Sequence, residues 1–206
     1  MRPPVPIARR RVLWGLLAAA SLSSCSSAPQ RLYVLTPMTG GSAKNFGKRS
    51  VGVQPVVMPE YLDRPEIVSY AGPHELAANR DDRWAERLPA NITRVLAENL
   101  SILLGSDRVD VLPSRRNDRH DYEVTVEFDR FEQTVSGDSV LEAHWTIQNG
   151  TTEKVLVREK TRLANRVPGS GYAPVVAAMN DNLTVLSRDI AAALEKLSKS
   201  GHNRTG

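Results

Sequence analysis

The chain has 206 residues, with 27 Lys and Arg against 23 Asp and Glu, and only 5% of it is aromatic. Its single Cys excludes an internal disulfide. No apolar run approaches the roughly 20 residues that a membrane-spanning helix needs, so a transmembrane helix is not expected.

The first 24 residues have the layout of a secretory signal peptide. A basic region with Arg9–Arg11 precedes an apolar run at Val12–Ala20 and a small-residue cleavage region. That region, Leu22-Ser23-Ser24-Cys25, resembles the lipobox of bacterial lipoproteins, in which the Cys sulfur takes a diacylglyceryl group before cleavage. Two or three acyl chains make a stable membrane anchor. We therefore expect a signal peptide over 1–24, lipid attachment at Cys25, and a lipidated terminus with a short tether over 25–30. The alternative is a secreted protein cut after Ala20, with a stray Cys.

Two further features concern location and partners. Ser26 stands where enterobacterial lipoproteins kept in the inner membrane typically carry an acid, so that sorting rule favours the outer membrane. The predicted signal peptide contains four of the 27 basic residues and none of the 23 acidic ones, which leaves a formally neutral mature chain. Nucleic-acid binding first requires a clustered basic surface, so no nucleic-acid partner is expected.

The first half of the mature chain contains short strand patterns and one helical pattern. Strands are predicted at Leu32–Leu35, Val51–Val57 and Glu66–Tyr70, with a polar loop over 36–49. Apolar residues spaced by three and four predict a helix over Arg83–Leu104, which includes Trp84. Asp81 or Asp82 is the expected N-cap and Gly105 the stop. Pro89 predicts a kink, or a helix that starts near it.

The second half alternates like an antiparallel sheet and ends in a helix. A short strand at Val109–Leu112 and a polar loop over 113–121 lead to strands around Tyr122–Asp129, Leu141–Ile147 and Lys154–Arg162. Asn149-Gly150 predicts a type I′ hairpin turn, and a last amphipathic helix is predicted over Tyr172–Leu197. We expect one α+β domain over 31–198, in which two long amphipathic helices pack on one face of a mainly antiparallel sheet as two layers, and a disordered tail over 199–206.

Several of these segments resemble the ABC-type transport auxiliary lipoproteins, and most of all the paraquat-inducible protein C type, also called the membrane integrity-associated transporter subunit. The resemblance lies in Arg83–Glu86, Arg94–Leu100, Trp145, Ala178-Met179 and Leu186–Ala191. It implies a periplasmic, outer-membrane lipoprotein. It also implies work beside a mammalian-cell-entry (MCE) domain protein in moving phospholipids between membranes, and a homo-oligomeric ring.

Functions from other classes have weaker support. The four His residues are scattered outside any metal-ligand spacing, and no nucleophile elbow, P-loop or dinucleotide motif occurs, so neither an enzyme nor a metal or cofactor site is expected. A periplasmic carrier or chaperone for lipids or lipoproteins remains the alternative, but it would need an apolar pocket larger than a packed core. The loops at 36–49, 113–121 and 165–172 are candidate partner surfaces because exposed loops commonly carry function.

Overall fold

The computed structural model describes residues 29–41, 46–114 and 119–202, which form eight strands and two helices. Among these residues no helix is long and apolar enough to cross a membrane. The strands are β1 Arg31–Tyr33, β2 Val51–Val53, β3 Glu66–Gly72, β4 Glu75–Trp84, β5 Val109–Val111, β6 Tyr122–Gln133, β7 Asp138–Asn149 and β8 Val155–Arg166, and the helices are α1 Leu88–Leu104 and α2 Tyr172–His202.

The eight described strands form one mixed sheet that curls into a half-barrel around its long strand β6. One edge of β6 pairs with β7 along its length, and β8 lies beyond β7. The other edge pairs first with β2 and, at its far end, with β3. Strand β5 lies beyond β2, while β4 and then β1 lie beyond β3.

The prediction of a mainly antiparallel sheet is wrong. The pairs β1/β4, β2/β5, β2/β6 and β3/β6 are parallel, and only β3/β4, β6/β7 and β7/β8 are antiparallel. Antiparallel neighbours need only a short turn, whereas parallel neighbours need a crossover through other elements. The short strands β1, β2 and β5 all pair across such crossovers, so the domain is α+β with a mixed sheet.

Both helices pack against this sheet and against each other. Helix α1 contacts β2 and β5, and α2 contacts β6, β7 and β8. The core between them is one continuous apolar cluster that includes Ile92, Leu96, Val124, Leu141 and Leu183, all fully buried. Burying such side chains contributes about 1.5–3 kcal/mol each. The layer of helices therefore holds the curled sheet together.

Helix α1 begins later than its apolar pattern indicated. It starts at Leu88 with Pro89 in the first turn, where a missing N–H is tolerated, and this confirms the alternative of a helix that starts near Pro89. It ends at Gly105, whose left-handed φ of 59° confirms the predicted stop. The predicted N-cap and the placement of Trp84 in the helix are wrong, because Asp82 and Trp84 both belong to strand β4.

The three-stranded meander of β6, β7 and β8 confirms the alternation in the second half. The predicted type I′ turn is wrong, because the positive φ in this loop belongs to Glu153 and not to Gly150. Gly150 serves a close approach instead: a Cβ there would lie 2.0 Å from the carbonyl oxygen of His120. Helix α2 runs past its predicted end at Leu197 to His202 and so into the predicted tail, whose remaining residues, 203–206, lie outside the described chain.

Candidate functional site

The residues predicted to carry the lipid lie outside the described residues. These are Cys25, the lipobox residues Leu22, Ser23 and Ser24, and the sorting residue Ser26. Lipid attachment there stays a prediction. The first described residues nevertheless show how the chain that follows the predicted anchor enters the domain, and this entry is the candidate site.

The chain enters the fold at a buried carboxylate. Asp82 has a fully buried side chain, and Arg31 donates to both of its oxygens, from Nε and Nη2, at 2.7 Å each. The Tyr33 hydroxyl donates to Oδ1 at 2.9 Å, and Asn79 Nδ2 donates to Oδ2 at 2.9 Å. Two-point contact between a guanidinium and a carboxylate fixes orientation as well as distance. The first strand after the predicted tether is therefore held in a single position.

An irregularity in β4 creates this carboxylate site. Between the pairs Val68↔Ala78 and Glu66↔Arg83, β3 advances by two residues while β4 advances by five. The extra residues bulge from the ladder, and the Asn79 side chain accepts from the Asp81 N–H at 2.9 Å inside the bulge. Bulges commonly redirect a side chain away from its regular position. Here the bulge turns Asp82 toward β1.

The electrostatics of the site favour the charged form of the acid. The Arg31 hydrogen bonds lower the pKa of Asp82 against the opposing effect of burial. Burial, with the hydrogen bond to Asp82 second, raises the pKa of the Tyr33 hydroxyl. Arg31 itself remains 63% exposed, so solvent screens part of the pair. The site therefore holds β1 in position, and its outer side is exposed to water.

Beyond β1 the chain crosses both helices, bound by their amide side chains. We call residues 31–41 the strap. Asn91 of α1 accepts from the Leu35 N–H at 2.7 Å and donates to the Leu35 carbonyl at 3.0 Å, both buried. Farther along the strap, the side chains of α2 and α1 accept from two more backbone N–H groups, Thr36 N to Asn180 Oδ1 at 3.0 Å and Met38 N to Asn99 Oδ1 at 2.8 Å.

These contacts also set the direction of the helices. The Asn99 amide donates to Ser187 Oγ at 3.0 Å, so the middle of α1 faces the middle of α2. Their first halves bind neighbouring strap residues. Their C-terminal parts lie near residues 46–49, where the Phe46 N–H donates to the Leu104 carbonyl and Arg49 donates to the Ser198 carbonyl. The two helices therefore run parallel, away from the end where the tether enters.

Two of the three candidate loops meet at the far end of the domain. The Ser50 N–H donates to Asp121 Oδ2 at 2.7 Å, which joins the end of the 36–49 loop to the end of the 113–121 loop. The Gly150 N–H donates to the Asp121 carbonyl, so the β7–β8 turn lies there too. The loop at 165–172 instead precedes α2, at the end near β1. The three loops thus do not form one surface.

A second buried acid lies near the end of β6, beyond the irregularity between Phe128 and Arg130. Glu132 is fully buried and accepts from Arg130 Nε at 2.7 Å, from the Phe131 N–H at 2.9 Å and from the Tyr61 hydroxyl at 3.1 Å. Burial raises the pKa of Tyr61, and the neighbouring Glu132 raises it further. All of its contacts are internal. In the described part of the chain, no three His, Cys, Asp or Glu side chains converge as metal ligands.

Sequence reasoning missed the residues that hold the strap. Asp82 was predicted to be a helix N-cap, and no role was predicted for Asn91 or Asn99. The sequence of α1 contains one indication of these contacts: Asn91 and Asn99 lie on the face of the helix whose other residues are mostly apolar and buried. A buried amide needs partners, but the sequence does not say which segment supplies them.

Comparison with known proteins places the fold and the family. The family model of the ABC-type transport auxiliary lipoprotein component matches residues 33–191, while no curated protein matches the chain. The fold is similar to a crystal structure of a DUF330 protein from Xanthomonas campestris, with a TM-score of 0.72, 17% identity, and 85% of this chain and 99% of that one covered. A second crystal structure, of an uncharacterized protein, gives a TM-score of 0.67 and 18% identity over 81% of this chain and 99% of that one. A PelC dodecamer from Paraburkholderia phytofirmans gives a TM-score of 0.40 and 12% identity over 72% of this chain and 93% of that one. Because the family model spans most of the domain, the chain belongs to the ABC-type transport auxiliary lipoproteins, as its sequence resemblance predicted.

Proposed function

We propose that this protein is a periplasmic lipoprotein, anchored in the outer membrane, that serves as a non-catalytic docking subunit of an MCE-type ABC system. That system would move phospholipids between the inner and outer membranes and so support membrane integrity. The observation that carries the proposal is the family match over residues 33–191, the domain that begins directly after the predicted tether.

The short tether supports a docking role close to a membrane. Only residues 26–30 separate Cys25 from β1, and they span at most roughly 20 Å when extended. The strap then fixes the chain through Asp82, Asn91 and Asn99. A lipid on Cys25 would therefore hold the domain at the membrane with limited freedom.

The parallel helices support a second contact at the other end. Helix α1 has 17 residues and so spans about 25 Å. The loops that meet around Ser50 and Asp121 lie at its far end, away from the tether. A subunit built in this way has one end for the membrane and one for the transporter. A homo-oligomeric ring, also part of the proposal, would surround the tip of the MCE channel.

The test is capture of a defined partner by the full lipidated chain. In detergent, the wild-type protein should co-purify with the MCE-domain protein of the same cell at defined stoichiometry, and sedimentation should give the size of the ring. The Cys25→Ser variant is the matched control, because it should retain the fold and partner binding in solution but lose membrane attachment and function in cells. Full function of a verified unlipidated form would overturn the anchoring part.

Three other outcomes would change the assignment. A stoichiometric phospholipid in the pure protein, found by mass spectrometry, would favour the carrier alternative. An absence of genes for an MCE protein, an ABC ATPase and a permease beside this gene would count against the docking role. Hydrolase activity of the pure protein would contradict the non-catalytic assignment.

A further inference from the structure

Strand β8 is a long, regular edge of the sheet. It pairs with β7 in unbroken register from Asp138↔Arg166 to Ile147↔Val157, and no described strand pairs with its other side. Such an edge presents a row of backbone N–H and C=O groups that another chain can bind. Proteins commonly shorten, bend or cover their edges, but β8 keeps 12 residues.

A groove runs beside this edge, between β8 and α2. It has a volume of about 540 Å³, and its floor contains Trp145 and Thr161. On the helix side it is bounded by Ala192 and Ala193, whose small side chains leave the space open. Leu156, at the start of β8, is 37% exposed at its margin. The lining also includes the charged residues Glu159, Lys160, Asp189 and Lys196, so apolar side chains can enter along the surface formed by Trp145, Ala192 and Ala193.

The floor of the groove is fixed before anything binds. Trp145 Nε1 donates to Thr161 Oγ1 at 3.1 Å, and the Thr161 hydroxyl donates to Asp189 Oδ2 at 3.2 Å. This chain of bonds joins β7, β8 and α2, and Trp145 is only 4% exposed. A preformed surface loses less entropy when a ligand orders on it.

The charges on β8 distinguish between two possible occupants of the edge, β8 of a second copy of the chain and a segment of a partner protein. The strand carries one acid, Glu159, and four basic residues: Arg158, Lys160, Arg162 and Arg166. Antiparallel pairing with β8 of a second copy would bring these like charges together, which is destabilising. Lys160 pairs with Asp129 and Glu142. Arg162 and Arg166 also pair with acids of β7 but remain 69% and 76% exposed, and Arg158 has no ion-pair partner among the described residues. The edge is therefore complementary to acidic side chains.

The alternation of β8 places its arginines on the face opposite to Thr161 and Glu159, which both line the groove. Arg158 and Arg162 lie opposite Thr146 and Glu142 on the outer face, whereas Thr161, one position along, lies on the groove side. A strand added to this edge would alternate in the same way. Its acidic side chains would face the arginines while its apolar side chains entered the groove.

We propose that the edge of β8 and the adjoining groove bind an extended, acidic segment of a partner protein as an added strand. Backbone pairing supplies affinity in this mode, and pockets for alternate side chains supply specificity. The inference rests on the proposed docking function, and it identifies the edge of β8 and the groove as the surface that binds the partner. Its occupant is a strand with alternating acidic and apolar residues.

Two capped octapeptides, one of alternating Glu and Val and one of alternating Lys and Val, test the edge directly. Each is titrated into the isotope-labelled full chain in detergent, with the Trp145 indole N–H and the β8 amides followed by NMR. We expect the Glu peptide to bind and to shift these signals, and the Lys peptide to leave them unchanged. Equal binding of both peptides, or binding of neither, would overturn the proposal.

Variants then separate the groove from the charge. Ala192→Leu fills the groove from an exposed helix position, and Arg158→Glu reverses the charge at the edge; each should weaken binding about tenfold or more, a change of ~1.4 kcal/mol. Arg188→Glu is the matched control, since Arg188 is exposed on α2 but does not line the groove. It should bind as the wild type does, and thermal unfolding should show that all three variants are folded.

Partner capture distinguishes failure of this inference from failure of the docking role. If the wild type captures the MCE-domain protein and Ala192→Leu and Arg158→Glu capture it equally well, the docking role stands and this surface is wrong. If the wild type captures no MCE-domain protein, the docking role fails, and the peptides still report on the edge. Self-association that Ala192→Leu abolishes would assign the edge to a second copy and overturn the proposal.

Discussion

Replacement of Asn91 by Ala should release the strap from helix α1. The Asn91 amide satisfies both backbone groups of Leu35, at 2.7 and 3.0 Å, and the two residues are 1% and 0% exposed. Water cannot replace these bonds without opening the core. Each buried group left unpaired costs about 1–3 kcal/mol, so with two such groups the variant should lose about 2–6 kcal/mol of unfolding free energy. That is a large share of the ~5–15 kcal/mol typical of a domain.

Asn180→Ala is the matched control on the same strap. Asn180 accepts one bond, at 3.0 Å, from the N–H of Thr36, which is exposed. Water can take over this bond, so the loss should be about 0.5 kcal/mol. Urea unfolding followed by tryptophan fluorescence measures both losses, and hydrogen exchange at the Leu35 amide reports on the strap itself. Equal losses for the two variants, or unchanged protection of Leu35 in Asn91→Ala, would refute the reasoning.

Three further predictions concern other positions. Gly150→Ala should destabilise the domain by more than 1 kcal/mol, roughly the cost of overpacking, because the new Cβ would lie 2.0 Å from the carbonyl oxygen of His120. Gly72→Ala is the control: the nearest contact of its Cβ would be 3.5 Å, so the urea midpoint should change little. Because its pKa is lowered in the fold, Asp82 stabilises the domain above the ordinary aspartate pKa and loses that contribution as the pH falls through the lowered value. The difference in unfolding free energy between wild type and Asp82→Asn should therefore decrease on acidification. A difference that increases would contradict the assignment. Cys25→Ser should move the protein from the membrane to the soluble fraction, or leave it as an uncleaved precursor, on fractionation and immunoblotting; unchanged, correctly processed membrane protein would contradict lipidation at that residue.

Local patterns in the sequence predicted the local parts of the fold. The alternation through β6, β7 and β8 is intrinsic to a half-buried strand, and its pairing partners are neighbours along the chain. Gly105 ends α1 because few other residues adopt its left-handed conformation. These features depend on a few consecutive residues, so they can be predicted from the local sequence.

The parts that failed depend on distant residues. Strand β4 begins Glu75-Leu76-Ala77-Ala78, a poor strand pattern, and it forms because β3 and β1 pair with it on either side. Asp82 stands before a helix, where an acid typically caps, but its partner is Arg31, 51 residues earlier. Likewise, the parallel pairings of β1 and β2 depend on how the chain crosses the helices. No local signal in the sequence encodes these choices.

The partners of the strap also dictate the order in which the domain is completed. Arg31, Leu35 and Thr36 bond residues that follow them by 51, 56 and 144 positions. The contacts of the strap can therefore be completed only after α2 has been synthesised and has folded against α1. Although it lies near the start of the described chain, the strap is among the last parts of the domain to be fixed in place.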